Sequence, residues 1–209
     1  MKNTPTLVLG TGNKKKGIEL ISLFEPVGLD IKTLADFDDV LDVEETGTTF
    51  AENAVLKATE QAKHLGYWVL AEDSGLAVDA LEGEPGVFSA RYSGEDATDE
   101  KNNSLVLEKM AKVPTERRSA RFICHMTLSD PTGTVRAETE AFCTGRLLTE
   151  LRGTHGFGYD PMFEIVEYHR TFAELGPAVK RCLSHRARAA RQLIPQLMRL
   201  VDTGQFQES

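Results

Sequence analysis

Cysteine is scarce in this 209-residue chain: three residues, at positions 124, 143 and 182. They are odd in number and include no C-x-x-C pair, which argues against a disulfide framework and against a structural zinc site. Basic residues are outnumbered, 24 Lys and Arg against 32 Asp and Glu, for a net charge of −8. A protein that coats nucleic acid needs the opposite balance, so no nucleic-acid partner is expected, although a local basic pocket for a small anion stays open. No window approaches the roughly 20 apolar residues of a membrane span, so no membrane partner is expected either. The apolar run Leu7-Val8-Leu9 is cut short by Gly10 and Lys14-Lys15-Lys16. It falls below the roughly 7–15 apolar residues of a secretory core, and the expected address is cytoplasmic. No H-x-x-x-H, G-x-S-x-G or G-x-x-x-x-G-K-[ST] motif occurs, and no internal repeat, low-complexity tract or linker composition.

What remains has the balance of a folded globular protein, with 41% hydrophobic and 27% charged residues. The elements alternate. Residues 6–10 read as a buried strand that enters a Gly-rich turn, followed by an amphipathic helix from Lys16 to about Val27 and a strand over 30–37. Thr49-Phe50-Ala51-Glu52 fits a capping box that opens an Ala-rich helix closed by Gly66. Residues 67–71 read as a strand that ends at Glu72-Asp73-Ser74-Gly75. Residues 81–103 read as a long irregular loop leading into a helix over 99–111. Asp130-Pro131-Thr132-Gly133 has a type I turn composition, which predicts a β-hairpin between residues 118–128 and 135–144. A Gly-rich loop over 153–161 precedes a strand over 162–168. The helix predicted from Ala178 to about Val201 contains Pro195, which must kink it or mark its last turn. One α/β domain over residues 1–209 is the simplest account, with residues 81–145 as a second lobe.

Four places could carry chemistry. Thr11-Gly12-Asn13-Lys14-Lys15-Lys16 joins a strand to a helix, where small residues, helix-start N–H groups and lysines can cradle an anion. A tight turn with a solvated lysine run is the competing reading. Glu44-Glu45 and Glu72-Asp73 are acidic pairs in separate segments, of the kind that hold Mg²⁺ together with substrate phosphates. A helix-capping role for Glu44 or Glu45 competes with that. Thr154-His155-Gly156-Phe157-Gly158-Tyr159-Asp160-Pro161 can expose a ring to a flat ligand, or its aromatics can anchor the loop to the core. Lys180 and Ser184 are four residues apart and are expected to share a helix face, with His185 and Arg186 beside them as a donor-rich cluster.

These segments follow one known pattern, in order along nearly the whole chain. Thr11-Gly12-Asn13-x-x-Lys16 comes first, then Glu44-Glu45-Thr46-Gly47-x-Thr49-Phe50-x-Glu52-Asn53-Ala54-x-x-Lys57-Ala58 and Asp73-Ser74-Gly75-Leu76-x-Val78. Pro85-Gly86-x-x-Ser89-Ala90-Arg91-Tyr92, Gly156-Phe157-Gly158-Tyr159-Asp160-Pro161 and Ser184-His185-Arg186 complete it. Together they closely resemble the inosine/xanthosine triphosphate pyrophosphatase family. The resemblance implies an elongated, two-lobed α/β fold with a long mixed twisted sheet flanked by helices, and a homodimer. It implies Mg²⁺-dependent hydrolysis of ITP, dITP and XTP to monophosphate and pyrophosphate. By the same resemblance, Thr11, Gly12, Asn13, Lys14, Lys15 and Lys16 bind the triphosphate. Glu44 and Asp73 hold the metal, Asp73 also accepts a proton, and Ser74 contacts substrate. Phe157, Gly158, Tyr159, Asp160, Lys180, His185 and Arg186 contact the nucleotide, chiefly its base. The chain departs from the pattern at Glu72, often aspartate, at His155, often glycine, at the extra lysines 14 and 15, and at Ala178-Val179, where acidic residues often stand. A pyrophosphatase for modified pyrimidine nucleotides and a non-enzymatic nucleotide sensor are the two alternatives.

Overall fold

The computed structural model describes residues 4–206. In chain order the elements are β1 (Thr6–Leu9), α1 (Lys14–Phe24), β2 (Asp30–Thr33), α2 (Phe50–Leu65), β3 (Trp68–Val78), α3 (Asp99–Lys109), β4 (Ser119–Ser129), β5 (Val135–Leu147), β6 (Phe163–Ile165), β7 (Arg170–Thr171), α4 (Phe172–Leu183) and α5 (His185–Asp202). The strands form a seven-stranded sheet in the order β2-β1-β3-β4-β5-β6-β7. β1 runs parallel to β2 and β3, whereas β6 is antiparallel to β5 and β7. The α/β class and the mixed sheet are those expected from the sequence.

The chain divides into two compact units. Among the described residues, the first holds 4–73, 124–141 and 188–206, and the second holds Ser74–Ile123 and Phe142–Ala187. Each has its own core. In the first, Leu7 and Leu9 of β1, Leu20 and Phe24 of α1, and Leu193 and Leu197 of α5 are fully buried, and Trp68 stacks on Phe206 with ring centroids 4.3 Å apart. Leu7, Val8 and Leu9 are all buried because a parallel strand is covered on both faces. In the second unit Leu76, Val106, Met110, Phe163 and Phe172 form the core, with Phe122 tilted against Phe163 at 4.5 Å.

Local chemistry fixes the element ends. Thr49 accepts from the Glu52 N–H at 3.2 Å while the Glu52 carboxylate accepts from the Thr49 N–H at 3.0 Å, and Gly66 ends α2 at φ 71°. In the second unit Arg118 is 2% exposed and satisfies its buried charge with backbone. Its guanidinium donates to the carbonyls of Leu147 at 2.8 Å, Met110 at 2.7 Å, Val113 at 3.3 Å and Leu148 at 2.9 Å, tying the end of α3 to the end of β5.

Three expectations are corrected. β3 does not stop at Glu72 but runs on to Val78, with the polar residues in its middle. A polar tetrapeptide reads as a strand end only while its partners are unknown; here lysines and an asparagine from other segments satisfy it. The C-terminal helix is two helices, because Ser184 is extended (φ −65°, ψ 157°) and caps α5 by accepting from the Ala187 N–H at 3.2 Å. Lys180 and Ser184 therefore do not share one helical face. Within the 30–37 segment the strand is only Asp30–Thr33, because Thr33 and Asp36 form a capping box around a single helical turn. α5 itself passes through Pro195 to Asp202.

The β4–β5 hairpin closes as expected, with the Gly133 N–H donating to the Asp130 carbonyl at 2.9 Å. The Asp130 carboxylate also accepts from the Thr132 hydroxyl at 2.6 Å, the Arg136 guanidinium at 3.1 Å and the Thr134 and Thr132 N–H groups. Burial pushes its pKa up, but these donors outweigh burial and hold it below the usual carboxylate range. Its stabilisation is thus present above the unfolded pKa of about 3.9 and is lost as pH falls through the lower folded value. Asp130→Ala should lower unfolding free energy by about 2 kcal/mol at pH 7. Urea titrations at pH 7 and pH 3 should show the gap between wild type and variant narrowing in acid.

Candidate functional site

The first unit gathers a charged cluster around the middle of β3. Asp73, 5% exposed, accepts from the Lys57 ammonium at 3.0 Å and from the Asn53 amide at 3.3 Å. Lys57 also donates to Glu45 at 3.0 Å, so one ammonium holds two carboxylates. Asn53 serves the neighbouring loop as well, since its Oδ1 accepts from the Gly47 N–H at 2.8 Å and fixes the segment that carries Glu45. A Cβ on Gly47 would lie 2.6 Å from that Oδ1, so glycine is what the close approach allows. Neighbouring Glu72 is buried, 3.4 Å from the Lys16 ammonium and 3.1 Å from the Cys124 thiol.

The electrostatics follow from burial. Removal from water raises the Asp73 pKa above the ordinary carboxylate value, and Lys57 and Lys16 only partly counter it. For Lys57 burial acts in the opposite sense but loses to Asp73 and Glu45, leaving its pKa raised and its charge secure. The donor set suits a hard cation. Asp73 and Glu45 present carboxylate oxygens, the donor type that a hard cation such as Mg²⁺ takes. Among the described residues no group of three or more His, Cys, Asp or Glu side chains is placed to hold a metal ion.

The turn 11–16 is built as a helix start. Asn13 caps α1, its Oδ1 accepting from the Lys15 N–H at 3.0 Å and the Lys16 N–H at 3.1 Å. Two of the helix-start donors expected to face an anion are thus engaged by Asn13. Gly12, Lys14 and Lys15 are exposed, Thr11 is half-buried, and Lys16 is the lysine beside Glu72.

The second unit gathers the other expected residues. Lys180 (5% exposed) pairs with Asp160 (1% exposed) at 2.5 Å, and the same Asp160 oxygen accepts from the Phe157 N–H at 2.8 Å. The Lys180 ammonium lies 4.2 Å from the Phe157 ring centroid, and the Arg186 guanidinium 6.0 Å from it. Arg186 also donates to the Ser74 hydroxyl at 3.0 Å. His185 stacks on Phe122 at 4.8 Å. Tyr159 is buried, and its hydroxyl donates to the Ser89 carbonyl at 2.8 Å; of the loop's two rings it is the anchor, and Phe157 is the half-buried one.

Residues 7–196 match the Ham1 family. The chain belongs to the Ham1 family. A Ham1-family relative from Rhodopirellula baltica, named dITP/XTP pyrophosphatase, is 55% identical over 197 residues, covering 94% of this chain and 95% of its own. Another of that name, from Exiguobacterium sibiricum, is 46% identical over 190 residues, 90% of this chain and 94% of its own. Among solved structures, a HAM1 protein from Coxiella burnetii gives a TM-score of 0.85 at 38% identity, covering 93% of this chain and 99% of that one. The Staphylococcus aureus Ham1 protein gives 0.82 at 36%, covering 92% and 98%.

Sequence reading paired Glu44 with Asp73, whereas the carboxylate joined to Asp73 through Lys57 is Glu45; Glu44 is exposed, and its carbonyl accepts from the Thr46 N–H at 3.1 Å. Lys57 and Asn53 went unassigned. The signal for them was present: they are four apart on α2, beside fully buried Ala54 and Ala58, and a lysine on an apolar helix face needs a buried partner. Lys57→Met should leave Asp73 and Glu45 without their shared cation. Unfolding free energy at pH 7 should fall by about 3 kcal/mol. NMR titration of the Asp73 carboxyl should show its pKa moving further up, and the stability deficit should shrink in acid, where both groups are protonated.

Proposed function

We propose that this chain hydrolyses dITP, ITP and XTP to the corresponding monophosphate and pyrophosphate, with Mg²⁺ as cofactor, removing deaminated purines from the nucleotide pool. The observation that carries the reading is the buried Asp73 carboxylate. It faces Lys57 and Asn53 with a raised pKa, in a chain 55% identical to a dITP/XTP pyrophosphatase. Residue roles divide between the two clusters. Lys16 neutralises part of a triphosphate that carries about four negative charges near neutrality. Asp73 and the Glu44-Glu45 pair would hold Mg²⁺, Glu45 being the carboxylate already beside Lys57. The ion held there would supply stabilisation of charge on the phosphoryl oxygens and on the departing pyrophosphate. Asp73 orients a water and takes its proton as the water oxygen bonds to the α-phosphorus and the bond to the bridging oxygen of pyrophosphate breaks. A carboxylate whose pKa is raised toward neutrality is a better base than an ordinary aspartate.

Phe157 offers the face on which a purine stacks, and Lys180, Arg186 and His185 supply donors to a 6-keto oxygen. Adenine presents an amino group there and would leave those donors unpaired, a mismatch worth on the order of 10⁴-fold at a built site. Among the described residues no helix is long and apolar enough to cross a membrane. A cytoplasmic homodimer is the assembly and address we propose, on the strength of the family pattern in the sequence.

Pyrophosphate release should be fast from ITP, dITP and XTP, and kcat/KM should fall by about 10³-fold or more for ATP. Chelation of divalent cations should abolish release, and added Mg²⁺ should restore it. Asp73→Asn should lower kcat by on the order of 10²–10⁴-fold. Because the folded state raises this pKa, Asp73 favours folding below its unfolded pKa and loses that contribution as pH rises through the folded value. The neutral amide escapes that loss, so thermal melts at pH 7 should find the variant at least as stable as wild type. Comparable kcat/KM for ATP and ITP would refute the assignment of Lys180, Arg186 and His185 as donors to the 6-keto oxygen.

A further inference from the structure

The loop that carries Phe157 is held from behind by a residue with no role so far. Phe157 sits between Gly156 (φ 79°) and Gly158 (φ 59°), two left-handed positions that leave the segment few intrinsic constraints. Besides the backbone bond from the Asp160 N–H to the Phe157 carbonyl at 3.2 Å, three hydrogen bonds made by side chains help to hold it. The Asp160 carboxylate accepts from the Phe157 N–H at 2.8 Å, and the Tyr159 hydroxyl donates to the Ser89 carbonyl at 2.8 Å. The third comes from α3, where the Asn103 amide donates to the Gly158 carbonyl at 2.9 Å across 55 residues of sequence. Asn103 is 4% exposed, and its Oδ1 is buried without a hydrogen-bond partner. An unpaired buried carbonyl is costly, and an apolar residue of similar volume would avoid that cost, leaving the half-buried Gly158 carbonyl to water. What the side chain does provide is an amide hydrogen directed at the glycine next to Phe157.

We infer that Asn103 is a positioning residue for the base. Its hydrogen bond to Gly158 fixes the Phe157 ring against Lys180 and Arg186, and so sets nucleotide affinity and selectivity rather than the chemical step. The inference rests on the proposed nucleotide reading for its substrate, but its physical content concerns the free protein.

The test uses Asn103→Leu and Asn103→Ala in the full chain, with two readouts. In the free proteins, amide hydrogen exchange should accelerate by about tenfold, the equivalent of one lost hydrogen bond, at Phe157 and Asp160, whose N–H groups are bonded within the loop, while amides of β1 and α2 keep wild-type protection. With substrate, KM for ITP should rise by about five- to tenfold with kcat changed by less than about threefold, and the ITP-to-ATP ratio of kcat/KM should fall. Unchanged exchange at Phe157 and Asp160 would overturn the inference, as would a lowered melting temperature with KM and the ITP-to-ATP ratio at wild-type values. If wild type releases no pyrophosphate from ITP, the functional reading fails, and the exchange readout still decides the role of Asn103 in holding the loop.

Discussion

Glu72 and Asp73 lie inside a strand whose other residues are almost all apolar and buried, and a carboxylate taken out of water is tolerated only with compensating charge and hydrogen bonds. Much of the first unit's local architecture answers that requirement. α1 begins where Lys16 can reach Glu72, and α2 carries Asn53 and Lys57 on the face that meets Asp73. The Gly47 backbone is drawn in by the same Asn53, which brings Glu45 to the other side of the Lys57 ammonium. The compensation is incomplete, because the Asp73 pKa remains raised. A carboxyl left in that state takes up a proton more readily than an ordinary aspartate.

The second unit solves a different problem with equally few partners. Asp160 restrains the Phe157 backbone and the Lys180 ammonium with a single oxygen, so a ring and a cation are placed together by one carboxylate. Gly156 is required by that arrangement, since a Cβ there would meet the Asp160 oxygen at 2.1 Å. Ser89 links this loop to β3 in turn. Its hydroxyl accepts from the Leu76 N–H at 2.9 Å while its carbonyl receives the Tyr159 hydroxyl.

Features governed by neighbours in sequence were legible in it. Thr49, Glu52 and Gly66 mark both ends of α2, and Asp130 through Gly133 mark the hairpin, because caps and turns are settled within four residues. Features governed by distant partners were not. The polar centre of β3 looked like its end because its partners Lys16, Asn53 and Lys57 lie 16 to 56 residues away in the chain. Which of Glu44 and Glu45 meets Lys57 depends on which side of an irregular loop faces α2, and no periodicity reports that. Tyr159 and Phe157 were indistinguishable by composition; one hydrogen bond to Ser89 separates the anchored ring from the half-buried one. The break at Ser184 was hidden because Lys180, Ser184, Ala187 and Ala190 fit helical spacing on either side of it.

That break has a consequence for recognition. A new helix begins at Ser184, so His185 and Arg186 occupy the first turn of α5, which holds no acidic residue. The aligned peptide dipoles of α5 direct their positive end at the same place, adding to the guanidinium rather than offsetting it. An electron-rich group held against that first turn is stabilised by such a field, and one that presents hydrogens to it is disfavoured.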